Sequence, residues 1–68
     1  MKSDRDLALS AAEQAFMDSV EHLFRILQSA LTGSAANPAQ ATANFEAGLN
    51  LAKRARATAL ASIGKIFP

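Results

Sequence analysis

Thr32-Gly33-Ser34-Ala35-Ala36-Asn37-Pro38 is the stretch that decides the fold. It holds a helix stop, a few small residues and a helix start. Gly33 suits the left-handed conformation that commonly closes a helix. Asn37 is a favoured N-cap, because its side-chain oxygen accepts from an orphan amide one turn on. Pro38 then stands at the first helical position, where its missing N–H costs nothing. Gln40, third in the helix, is placed to reach back to the cap amide as in a capping box. These signals predict a turn over 33–37 that joins two helices.

Towards the N-terminus no Gly or Pro interrupts residues 3–32. The first helix is expected over about 4–32, a rod of about 45 Å. Ser3 is its expected cap with Asp6 three residues on, and Ser10 with Glu13 is an alternative start. Leu9, Phe16, Val20, Leu23, Leu27 and Ala30 recur at helical spacing and form an apolar stripe. Met17, Phe24 and Leu31 widen it on one side.

Towards the C-terminus a second helix is expected over about 38–63, with Gly64 as its stop and a short tail over 64–68. Its stripe is Ala41, Phe45, Leu49, Ala52, Leu60 and Ile63. The fold class is therefore all-α: one antiparallel hairpin of two long helices filling residues 1–68.

Such a hairpin is short of material for a core of its own. Half of the 68 residues are apolar, but alanine, which contributes little burial, dominates that half. Opposite charge divides the chain. Residues 1–32 carry three basic and five acidic side chains, and residues 33–68 carry four basic and one acidic. Helices of opposite sign suit antiparallel neighbours. The expected assembly is a homodimer forming a four-helix bundle. Two flanks beside the stripes are left without a partner inside one hairpin. One holds Ala8, Ala11, Ala15, Ser19, His22 and Ile26; the other holds Gly48, Ala52, Ala55 and Ala59. Small side chains let helices approach closely, so these residues are the candidate oligomer interface.

Two charges break the pattern. Glu13 lies on the first stripe and Arg56 on the second. A turn centred near Ala35 sets residues whose numbers sum to about 70 at one level. That rule matches Leu9 with Leu60, Phe24 with Phe45, and Glu13 with Arg56. A partly buried ion pair across the hairpin, or its two-fold equivalent between chains, is expected, because pairing makes each charge tolerable on an apolar stripe.

Little catalytic chemistry is available. There is no cysteine and one histidine. His22 has Asp18 one turn before it and Glu21 beside it, without the Glu-x-x-His spacing of helical metal sites. Gly33, Gly48 and Gly64 stand too far apart for a phosphate loop. No catalytic, cofactor-binding or metal-binding residue is assigned, and an enzyme is not expected. Lys53-Arg54-Ala55-Arg56 is the densest basic run, and with Lys65 it offers candidate phosphate contacts for RNA or DNA. Helix geometry spreads these side chains apart, and the net charge is only +1. An acidic polar face on the first helix does not suit a lipid surface. The start of the chain is charged and carries no apolar signal core, and no run is long enough to span a membrane. A cytoplasmic location is expected from that absence of signals. The expected role is a small adaptor, chaperone-like protein or regulatory subunit that binds itself and a further protein. A nucleic-acid-binding regulator using Lys53, Arg54 and Lys65 is the alternative.

Overall fold

Ser3 opens the first helix by reciprocal capping. Its hydroxyl accepts from the Asp6 amide at 3.2 Å, and the Asp6 carboxylate accepts from the Ser3 amide at 3.4 Å. Helix α1 runs Asp4–Thr32, so the start is at Ser3 and not at Ser10. Asp4 and Asp6 stand at its positive end. Helix α2 runs Pro38–Ile66, capped by Asn37, whose side-chain oxygen accepts from the Gln40 amide at 3.1 Å. This computed structural model describes residues 2–33 and 36–68. It is two helices, and among the described residues there is no strand. They pack side by side as an antiparallel hairpin.

Three local expectations need correction. Gly33 does not turn left-handed. It sits at φ −80°, ψ 153°, so the chain leaves α1 extended, and the Ala36 amide donates to the Gly33 carbonyl at 3.1 Å. Ser34 and Ala35, the middle of the expected turn, lie outside the described residues. Gln40 does not reach back to its cap. Its side-chain amide donates forward to Asn44 at 2.9 Å, one turn along the exposed face. Gly64 does not stop α2, which continues to Ile66. The stop lies at Pro68, since a residue before proline is disfavoured in the α region. Phe67 accordingly sits at φ −120°, ψ 71°, while its amide still donates to the Ile63 carbonyl.

The seam between the helices holds the apolar stripes. Leu9, Phe16, Val20, Leu23 and Leu27 of α1 are half-buried, as are Phe45, Leu49, Leu60 and Ile63 of α2. Leu23 lies directly on Gly48: a Cβ there would fall within the Leu23 side chain, with Cδ1 at 3.1 Å and Cγ at 3.3 Å. Ala41, 7% exposed, is the one buried residue among those described. The Cα trace extends 51 × 21 × 7 Å, which is a slab one helix thick.

Candidate interaction surface

A slab of two helices has two broad faces, and helix periodicity assigns side chains to them. At roughly 100° per residue, Ala8, Ala15, Ser19, His22 and Ile26 fall on one side of the α1 seam. Met17, Phe24 and Leu31 fall on the other. Hollows along the seam show which side of α2 belongs with each. One, of about 350 Å³, is lined by Ser19 and His22 together with Gly48, Leu51 and Ala55. A second places Ala12 and Ala15 beside Ala55 and Ala59. A third places Ile26 and Ala30 beside Ala41 and Asn44. These three hollows share one face, the alanine face. Small and aliphatic side chains predominate in its lining, together with Phe16, Phe45 and Asn44, and His22 and Arg56 are the ionisable groups that line its hollows. Arg56 lines its floor but is held by Glu13.

The opposite face is different in kind. Its hollow is lined by Val20, Phe24 and Phe45 and rimmed by Glu21, Arg25 and Gln28. Met17 is 58% exposed and Phe24 54% exposed there, so both faces show apolar side chains to water. On the alanine face Leu51 stands 67% exposed and Ile26 50% exposed.

Between the two faces lies the pair of misfit charges. Arg56 Nη2 is 2.7 Å from Glu13 Oε1, and Arg56 Nε donates to the same oxygen at 2.8 Å. It is the one ion pair among the described residues. The guanidinium also lies over the Phe16 ring, 5.5 Å from its centroid. Sequence reasoning did not name that stacking. Its signal was present, since Phe16 is one turn on from Glu13 and on the same side of the helix.

Of the candidate interface residues, Ala8, Gly48, Ala52 and Ala59 are half-buried, whereas Ala11, Ala15, Ser19, Ile26 and Ala55 are exposed. Gly48 already serves the hairpin by receiving Leu23. The basic candidates are not gathered. Lys53, Arg54 and Lys65 are all exposed. Arg54 and Lys65 fall on the outer edge of α2, away from α1, and Lys53 points about 100° from Arg54. Asp18, on the outer edge of α1, accepts from the Gln14 side chain at 2.9 Å. Among the described residues no three His, Asp or Glu side chains gather closely enough to hold a metal ion. Among the described residues no helix is long and apolar enough to cross a membrane.

The chain matches no protein-family model, no curated protein and no solved structure.

Proposed function

We propose that this protein is a self-associating helical interaction module, without enzymatic activity, that works as an adaptor, chaperone-like protein or regulatory subunit. One observation carries the reading. The hairpin exposes 5295 Å², whereas a compact monomer of 7.1 kDa exposes about 4,100 Å². The excess, about 1,200 Å² per chain, exceeds the ~800 Å² that each partner buries in a standard interface. The alanine face is the surface that supplies it to a second copy. Its hollows are lined by no acidic side chain, the Arg56 guanidinium on its floor is held by Glu13, and its many small side chains allow close helix approach. A homodimer formed there is a four-helix bundle, and it leaves Met17, Phe24 and Leu31 on the outside for a further protein.

Sedimentation at micromolar concentration tests the assembly. A dimer is expected, and Ala55→Glu, which puts a charge at the centre of the alanine face, is expected to shift it towards monomer. A folded monomer under these conditions overturns the reading. Labelled RNA or DNA separates the other function class: a salt-sensitive complex lost on replacing Lys53, Arg54 and Lys65 overturns the protein-interaction role.

A further inference from the structure

Two copies meeting on one face have two symmetric ways to do so. The two-fold axis lies in the plane of contact, and it runs either along the helices or across them. With the axis along the helices, both turns lie at one end and α1 of each copy rests on α2 of the other. With the axis across, the turns lie at opposite ends, α1 rests on α1 and α2 on α2.

The charges of the two helices discriminate between these arrangements. Helix α1 carries five acidic and two basic side chains, a balance of −3, and α2 carries one acidic and four basic, a balance of +3. Register sharpens the point. Rotation about an axis parallel to the helices leaves every residue at its own level. The register within one hairpin is therefore also the register between copies. Glu13 against Arg56 and Leu23 against Gly48 fix that register at numbers summing to about 70. Asp18 and Arg54 stand at nearly one level by that rule, and so do Asp4 and Lys65. A mismatch of two residues is about 3 Å, within reach of an arginine.

By helix periodicity Asp18, Arg54 and Lys65 lie on outer edges and Asp4 shares the azimuth of His22, where the outer edge of α1 meets the alanine face; stacking superposes the outer edge of α1 on the partner's outer edge of α2. All four are exposed, and none has an ion pair with a described residue of its own chain. With the axis across the helices, full overlap centres α1 on its own midpoint, which is residue 18. Asp18 would then face the partner's Asp18, and Arg54 would lie about one turn from the partner's Arg54. Exposed ion pairs are weak singly. Arrangement is chosen by the difference between attraction in one form and repulsion in the other.

We infer that the dimer axis runs parallel to the helices, with both turns at the same end and Asp18–Arg54 and Asp4–Lys65 pairs closing its edges. This rests on the self-association proposed above, and the experiment separates the two. The chain has no cysteine, and a Cβ at Gly33 meets nothing within 4 Å. Gly33→Cys therefore carries a spin label at the turn end. Dipolar distance measurement on the labelled full chain is expected to give a separation on the order of 20 Å, the width of two packed helices. A separation of about 45 Å, a helix length, in a sample that sediments as a dimer overturns the arrangement and leaves self-association standing. A sample without dipolar coupling that sediments as monomer overturns both. Charge exchange gives a second readout. Asp18→Arg is expected to weaken the dimer by about threefold or more, and adding Arg54→Asp in the same chain to restore it. Failure of that rescue counts against the arrangement.

Discussion

At the scale of single residues, Arg56 does three things with one side chain. Its stem lies on the apolar seam, its Nε and Nη2 both donate to Glu13 Oε1, and its planar face covers Phe16. Each contact is modest. The side chains are 40% and 47% exposed, so water screens the pair and its worth is that of a surface ion pair, about 0.2–1 kcal/mol. Stacking on Phe16 adds about 0.5–1 kcal/mol. A double-mutant cycle with Glu13→Gln and Arg56→Met, read by urea unfolding at fixed protein concentration, is expected to show coupling of about 0.5 kcal/mol. The coupling should shrink in 1 M salt, where screening extends to about 3 Å. Zero coupling at low salt removes the pair from the account of stability. The value of the pair lies less in that energy than in register, since a slip by one turn would leave Glu13 and Arg56 on the seam without each other.

At the scale of elements, two glycines in α2 have opposite surroundings, and this yields a paired prediction. Both lie inside the helix, where Gly→Ala gains about 1 kcal/mol of helix propensity. At Gly64 a new Cβ meets nothing within 4 Å, so Gly64→Ala is expected to keep most of that gain. At Gly48 the Cβ displaces Leu23, which must leave its place on the seam. Gly48→Ala is therefore expected to be less stable than Gly64→Ala by about 1 kcal/mol or more, the cost of a strained apolar contact. Equal stabilities in thermal or urea unfolding would show that Leu23 yields freely. The same comparison shows what the sequence disclosed. Helix starts were legible at Ser3 and Asn37 because caps act over three residues. The Glu13–Arg56 juxtaposition was legible because two charges broke two stripes at levels the turn relates. The end of α2 was misread because Gly64 is permissive and not obligatory; Pro68, acting through Phe67, terminates the helix. Leu23 on Gly48 and Arg56 over Phe16 depend on the azimuth of each helix about its own axis. Spacing gives that only to within a residue.

At the scale of the whole molecule, shape is the quantity to explain. The Cα radius of gyration is 15.8 Å, against about 11 Å for a compact chain of this length. A slab with two wet faces buries too little apolar surface to offset the ordering of its helices by a wide margin. Two slabs stacked on their alanine faces remove one wet face from each and approach the proportions of an ordinary small domain. Folding and association are then linked, so the melting temperature depends on concentration. Raising the protein from about 1 to about 100 µM is expected to raise the midpoint of helix loss by several degrees, as tighter mass action favours the folded dimer. Face specificity is checked by two alanine-to-glutamate changes in the middle of α2, which alter helix propensity equally. Ala55→Glu, at the centre of the alanine face, should lower the midpoint at any given concentration. Ala57→Glu should leave it nearly unchanged, because periodicity places Ala57 on the opposite flank of α2, where it is exposed. A midpoint independent of concentration, with the two glutamates equal in effect, would mean that the slab is stable alone and that its alanine face meets water.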